Sequence, residues 1–250
     1  KMYDACSPVP TISLHDMNSI TLSILVPVYN ESRTIVTIMN ALREHCSDAQ
    51  HIYIDDGSTD DSLAIIRAHA RAEDSVITQK NGGKGSAIIA GLKQATGQYT
   101  IIQDADLEYH PTQISTLLQV AISHPQCAVF GSRFLQWNPS THWRFRLGNQ
   151  LLTKLSNLLF GAHITDSYTC YKLLPTDLLR SFALVSRGFE LEAEITGKCL
   201  RRSIAIKEVP IEYSPRSVDE GKKIRWQDAW KGMVVLCRER LMSAPTVSAE

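Results

Sequence analysis

The sequence predicts an α/β fold, with a mostly parallel β-sheet carrying helices on both faces. Short β-branched apolar runs alternate with helical repeats through the first half of the chain, and each run ends in a polar turn of Asp, Asn or Gly. The spacing leaves room for one helix between successive runs. In an open sheet of this kind the ligand crevice lies at the carboxyl ends of the strands. The turns are therefore where function is expected.

The elements follow in order. Residues 23–29 form an apolar strand closing on Asn30-Glu31-Ser32, after which Ile35, Ile38, Met39 and Leu42 recur at helical spacing. Strand 51–54 leads into Asp55-Asp56-Gly57-Ser58-Thr59-Asp60 and a helix over 62–72. Strand 75–78, a glycine-rich turn and a helix over 86–95 come next. Strand 99–103 then delivers Asp104-Ala105-Asp106 at its carboxyl end, and a helix over 112–123 and a strand over 128–131 follow. Beyond residue 135 the pattern loosens into a polar Trp/Arg segment, a helix near 147–160, a loop over 161–170 and a helix over 189–201. A strand over 205–211, a charged loop over 214–223 and an amphipathic helix over 226–241 end the chain.

With 250 residues, 44% of them hydrophobic, the chain can bury one full core. The expected organisation is an N-terminal extension over 1–21, one catalytic domain over 22–225, and a C-terminal amphipathic helix with its tail over 226–250. Lys and Arg number 26 and Asp and Glu 26, so no charge excess favours nucleic acid as a partner. The 6 cysteines are scattered without a C-x-x-C pair, which fits reduced thiols better than a disulfide framework. No run approaches the ~18 apolar residues of a spanning helix, and the polar start is unlike a signal peptide. A cytoplasmic protein is expected. In the last helix, Trp226, Trp230, Met233, Val234 and Leu236 stand among Lys231, Arg238 and Arg240. Packing on the core and peripheral contact with the cytoplasmic face of a membrane are both open to it.

Four turns carry chemistry. Asp104 and Asp106, with Glu108 close by, can turn hard carboxylate oxygens toward one Mg²⁺ or Mn²⁺, which would hold a diphosphate leaving group. The plain alternative is acids that solvate a strand end. Asp55-Asp56-Gly57-Ser58 offers carboxylates to a ribose or base, or only an Asx turn. Tyr29-Asn30-Glu31 offers stacking and hydrogen bonds to a base, or only a helix cap. Asn81-Gly82-Gly83-Lys84-Gly85 brings backbone N–H groups and an ammonium to a helix N-terminus, a cradle for an anion that lacks Walker A spacing.

In this order the turns resemble the signature of glycosyltransferase family 2, and within it the dolichyl- and polyprenyl-phosphate hexosyltransferases. The likeness continues in Gly131-Ser132-Arg133-Phe134, in 188–196, in Glu208-Val209-Pro210-Ile211, in Arg216 and in Glu220-Gly221-Lys222-Lys223-Ile224, and covers about 22–232. The resemblance implies the glycosyltransferase A fold, a Rossmann-like sheet, and a metal-dependent, inverting transfer of a hexose from a nucleotide-sugar of the UDP-glucose or GDP-mannose type to a polyprenyl or dolichyl phosphate. It implies that Pro27, Tyr29, Glu31, Asp55 and Asp56 hold the nucleoside, with Lys84 and Asp104 beside the donor. Asp104, Asp106 and Glu108 would carry Mg²⁺ or Mn²⁺. Arg133, with Arg144 or Arg146, would receive the acceptor phosphate, and Arg216 with Lys222 or Lys223 would close over the donor diphosphate. Asp106, Arg133 and Asp166 are the catalytic candidates.

An ionised phosphate acceptor needs no strong base, whereas a sugar hydroxyl does, with Asp166 or Glu192 as the candidate. Transfer to a sugar hydroxyl or other soluble acceptor therefore stays open, as does a nucleotide-sugar-binding protein without catalysis. The chain departs from the family pattern at Cys170, where relatives often carry glycine. It also shows none of the C-terminal membrane spans that many relatives have.

Overall fold

The computed structural model describes residues 21–138, 143–216 and 226–242. Four strands, β1 (Leu22–Val28), β2 (Gln50–Asp55), β3 (Ser75–Thr78) and β4 (Tyr99–Ile102), pair in parallel, with β1 between β2 and β4 and with β3 outside β2. Parallel neighbours require a crossover, and the chain supplies α1 (Ile35–His45), α2 (Ser62–His69) and α3 (Lys84–Leu92) between them. Ile24, Leu25 and Val26 of β1 are wholly buried, the unbroken apolar run of a strand covered on both faces.

The second half adds α4 (Ile114–Ser123), β5 (Ala128–Ser132), α5 (Trp143–Phe160), β6 (Lys172–Pro175), α6 (Thr176–Ser181), α7 (Leu191–Arg201), β7 (Ile206–Pro210) and α8 (Trp226–Leu241). The complete sheet runs β3-β2-β1-β4-β6-β5-β7. β6 is antiparallel to both neighbours, and β7 pairs in parallel with β5. The expected mostly parallel sheet is thus present, with one reversed strand the sequence reading did not name. β6 is four residues long, begins with a lysine and ends with a proline, so it offers no alternation to read. α3 begins at Lys84 rather than at 86, because Gly83 takes a φ of 92° at the position before it.

One apolar cluster fills the sheet and its flanking helices. A second, of Leu152, Tyr168, Ala193 and Leu236, joins α5, α7 and α8. The buried face of α8 also holds Glu239, paired with Arg201 at 3.3 Å. Cys46, Cys127, Cys170, Cys199 and Cys237 are free thiols. Among the described residues no helix is long and apolar enough to cross a membrane.

The N-terminus of α3 is pressed onto 186–188. The Ser86 N–H donates to the Arg187 carbonyl at 3.0 Å, and a Cβ on Gly85 would stand 2.2 Å from the Ser186 carbonyl oxygen. Gly148, inside α5, has nothing within 4 Å of such a Cβ. Gly85→Ala should therefore lower stability by about 1–3 kcal/mol, the usual cost of overpacking. Gly148→Ala should raise it by roughly 0.5–1 kcal/mol through helix propensity. Urea denaturation of both variants checks this, and equal midpoints would contradict the packing described.

Candidate active site

The carboxyl ends of β1, β2, β4 and β5 and the start of α3 open onto one cleft of about 310 Å³, at the small end for a ligand pocket. Pro27, Tyr29, Glu31, Asp56, Lys84, Asp104, Asp106, Glu108, Arg133 and Arg216 all line it. The structure therefore gathers ten of the candidate residues, and brings Glu31 and Arg216, 185 positions apart, into direct contact. Asp55 and Asp166 stand behind the cleft wall. Arg146 is exposed, its guanidinium 5.8 Å from the Phe134 ring centre, and is not part of the lining. The Arg144 side chain and residues Lys222 and Lys223 lie outside those described.

The loop after β4 is clamped from beneath. The Gln103 amide donates to the carbonyls of Asp104 and Tyr109 at 2.9 and 3.0 Å and accepts from the Tyr171 hydroxyl at 2.6 Å. Leu107 is forced to a φ of 63°, a left-handed conformation costly for leucine, and the Glu108 N–H closes on the Asp106 carboxylate at 3.0 Å. Asp104 faces the Lys84 ammonium at 2.8 Å. Asp106 faces Arg216 at 3.3 Å, and Arg216 forks onto Glu31 at 2.9 and 3.0 Å. Burial, then the neighbouring charges of Asp104 and Glu108, push the Asp106 carboxyl up to about 7 against the pull of Arg216. Glu108, expected as a third metal ligand, accepts from the Tyr213 hydroxyl at 2.7 Å and from the Arg216 N–H at 2.9 Å. Among the described residues no three His, Cys, Asp or Glu side chains gather closely enough to enclose an ion. Asp104 and Asp106 do fit one, as two hard-oxygen donors whose shared charge excess a cation would relieve.

The glycine turn finds its anion inside the protein. Asp56 accepts from the Gly82 and Gly83 N–H groups at 2.9 and 2.8 Å and from the Gln79 amide at 2.6 Å. Asp55 closes its own turn through the Ser58 N–H at 3.3 Å. On the opposite wall Arg133 and Asp166 form a fork, Nε to Oδ2 at 2.7 Å and Nη2 to Oδ1 at 2.8 Å, and the Arg133 N–H adds a third bond at 3.1 Å. Burial opposes the Arg133 charge, but Asp166 more than offsets it and the guanidinium stays charged. Both Asp166 oxygens are committed to this arginine, so the geometry makes Asp166 the support of Arg133 and a poor base.

The model of Glycosyl transferase family 2 matches residues 23–182, more than half of the chain. The chain belongs to this family. It is 29% identical over 198 residues to the glycosyltransferase AglJ of Haloferax volcanii, covering 77% of this chain and 63% of that protein. It is 28% identical over 237 residues to the low-salt glycan biosynthesis hexosyltransferase Agl6 of the same organism, covering 90% and 56%. A stretch of 108 residues, 40% of this chain, is 38% identical to the undecaprenyl-phosphate 4-deoxy-4-formamido-L-arabinose transferase of Sodalis glossinidius, of which it covers 33%. The chain thus spans less than two thirds of the length of these relatives. In fold it resembles glucosyl-3-phosphoglycerate synthase from Mycobacterium tuberculosis, solved with Mn²⁺, UDP and phosphoglyceric acid. The TM-score is 0.70 at 17% identity, over 93% of this chain and 84% of that one. The fold is the glycosyltransferase A fold.

In this family 2 chain several lining residues had little or no sequence signal. Tyr109 and Tyr213 stack beside Arg133 in the lining, yet isolated tyrosines in loops carry no pattern. Cys170 lines the cleft at the position where the family pattern departs, with its sulfur 3.4 Å from the Lys84 ammonium. Burial pushes its thiol well above the usual range, so it is no thiolate nucleophile. Lys172, wholly buried on β6, contacts one Glu192 oxygen at 2.7 Å, and Lys84 stands 3.1 Å from the other. A chain of alternating charge, Lys172, Glu192, Lys84 and Asp104, therefore runs from the core to the cleft.

The Asp106 shift has a consequence for stability. Its carboxyl is raised from 3.8 to about 7 on folding, so between those values the folded state binds more protons than the unfolded one. Stability from this group is present at low pH and is lost as pH rises toward 7. In the presence of a chelator, Asp106→Asn should raise the melting temperature by roughly a few degrees above pH 7 and by less near pH 5. A variant less stable than the parent at both values would show that the Arg216 contact outweighs burial and repulsion.

Proposed function

We propose that this chain transfers a hexose from a nucleotide-sugar, with a divalent metal ion, to a polyprenyl phosphate, inverting the anomeric centre. One observation carries the reading. The acidic pair Asp104 and Asp106 and the rigidly held cation Arg133 face one cleft at the strand ends, a place for a metal-bound diphosphate and a place for an incoming phosphate. The undecaprenyl-phosphate transferase among the relatives supports an isoprenoid phosphate as acceptor. The Mn²⁺ and UDP complex of the structural neighbour supports the donor side.

Asp104 and Asp106 would hold Mg²⁺ or Mn²⁺, which supplies Lewis-acid stabilisation of the departing nucleotide diphosphate. The protein side chains do the rest. Pro27, Tyr29 and Glu31 form the nucleoside wall, and Arg216, already among the anions of this site, provides cationic charge beside the diphosphate. Arg133 receives the acceptor phosphate. Because Asp166 takes up the fork of the guanidinium from behind, Arg133 arrives oriented and without free rotamers to lose. An acceptor phosphate is ionised near neutral pH, so attack on the anomeric carbon requires no strong base, and both Asp166 oxygens are already engaged. Glu192 stands at the cleft with Oε1 3.1 Å from the Lys84 ammonium and Oε2 on Lys172, so it holds Lys84 in place beside the donor.

The decisive experiment is a donor panel of UDP- and GDP-sugars with Mn²⁺, with and without a short polyprenyl phosphate, and with phosphoglycerate as a soluble arm. Turnover of one donor is expected only with the polyprenyl phosphate, and is lost with chelator or in Asp106→Ala. Turnover on phosphoglycerate alone would reassign the acceptor, and no turnover of any donor would sink the transferase reading. Two variants refine the roles. Asp166→Asn should raise the KM for the acceptor at least roughly tenfold by loosening Arg133, without the pH-dependent collapse of kcat that loss of a base produces. Glu192→Gln should raise the donor KM by loosening Lys84 and leave the acceptor KM unchanged.

A further inference from the structure

Asp56 stands in the cleft wall at the end of β1. Its N–H donates to the Val28 carbonyl at 2.8 Å, which seats it beside Tyr29, and both residues line the cleft. A carboxylate offers about four acceptor positions, two on each oxygen. At Asp56 three are taken. Oδ1 accepts from the Gln79 amide at 2.6 Å and from the Gly82 N–H at 2.9 Å, and Oδ2 accepts from the Gly83 N–H at 2.8 Å. Oδ1 is therefore filled, and the one position left is on Oδ2.

Gln79 is held so that it stays on Oδ1. Its backbone N–H donates to the Asp55 carbonyl at 3.0 Å, directly after the pairing of β2 with β3 ends at Asp55 and Thr78. Its amide nitrogen also donates to the Ser86 hydroxyl at 3.1 Å, so both amide hydrogens are committed. The two turns are pressed together as well. Gly57 has a φ of 71°, and a Cβ there would stand 2.7 Å from the Asn81 nitrogen and 3.1 Å from the Gln79 carbonyl oxygen. Asp56 cannot turn to free Oδ1 without giving up bonds to this packed neighbour.

The bases of the two donor types present different edges to a carboxylate. Guanine presents two parallel donors, N1–H and the N2 amine, which need one open oxygen each. Uracil presents one donor, N3–H, between two ring carbonyls. At Asp56 the uracil N–H finds Oδ2 open. Guanine would satisfy one donor there and turn the other toward a filled oxygen, leaving it unpaired in the cleft. The Tyr29 ring offers a face to either base and does not discriminate. Asn81, an exposed amide in the lining of the same wall, suits a ring carbonyl of uracil. We propose, on the nucleotide-sugar reading above, that the donor carries a uracil-type base in preference to guanine, and that Gln79 is the positioning residue that sets this choice by occupying Asp56 Oδ1.

Calorimetric titration of the full chain with UDP, GDP and inosine diphosphate in the presence of Mn²⁺ tests it. Hypoxanthine, the base of inosine, is guanine without the N2 amine, so it offers a single N–H on that edge. UDP should bind at least roughly tenfold more tightly than GDP, the effect of one unpaired buried group, and inosine diphosphate should bind at least as tightly as GDP. Gln79→Met keeps the side-chain length and removes the amide donor. In this variant the preference for UDP over GDP should narrow at least roughly fivefold, and GDP should gain on inosine diphosphate. GDP binding as tightly as UDP, or more tightly than inosine diphosphate, in the parent protein would overturn the choice of base and leave the transfer reading standing. An equal loss for all three ligands in Gln79→Met would make Gln79 a structural residue and overturn its role. Absence of binding by all three would remove the nucleotide-sugar reading and this proposal with it.

Discussion

The structure depends on keeping Glu31, Asp104, Asp106 and Glu108 together in one partly dehydrated cleft, where like charges repel far more strongly than in water. Nothing in local propensity favours this. It is held by Arg216, which forks onto Glu31 and reaches Asp106, by Lys84 on Asp104, and by the clamp that Gln103 places on the loop. The cost remains visible in the raised Asp106 carboxyl and in the left-handed Leu107. Strain and charge excess retained at one site are what a preorganised binding pocket for a cation and an anion requires, and an ordinary folding core would have shed both.

The two walls of the cleft differ in how firmly they are set. Arg133 and Asp166 are buried, hydrogen-bonded in a fork and backed by Glu208, which accepts from the Thr165 and Asp166 N–H groups. Removing one partner of such a pair strands the other charge, at about 3–5 kcal/mol. Arg216 is instead shared among three carboxylates, its guanidinium on Glu31 and Asp106 and its backbone N–H on Glu108. Under the proposed transfer, the firmly held wall at Arg133 would receive the acceptor phosphate and the shared cation Arg216 would face the donor diphosphate.

The lysine beneath the site extends this logic into the core. Lys172 is fully buried with Glu192 and the Thr169 carbonyl as partners, and Glu192 in turn meets Lys84. β6 runs antiparallel between β4 and β5, which is what brings Lys172 and Cys170 under the acidic loop. The reversal of one strand in a parallel sheet is therefore part of the construction of the site.

The alternation of apolar runs and polar turns determined the strands β1 to β5, the helices between them and the loops that face the cleft, because strand and helix periods are local and survive in one dimension. The motif residues from Pro27 to Arg133, and Arg216 beyond them, could be named for the same reason, each standing at a strand end or in a quoted motif. Only the tertiary structure decided what those residues do to one another. Asp56 is consumed by the glycine turn, Glu108 by Tyr213 and Arg216, and Asp166 by Arg133, pairings that span 26 to 108 positions and leave no trace in spacing. It also decided which face of the last helix is covered. Amphipathicity allowed either a core contact or a surface contact, and α8 has an apolar face on both sides, a fact that burial alone can reveal.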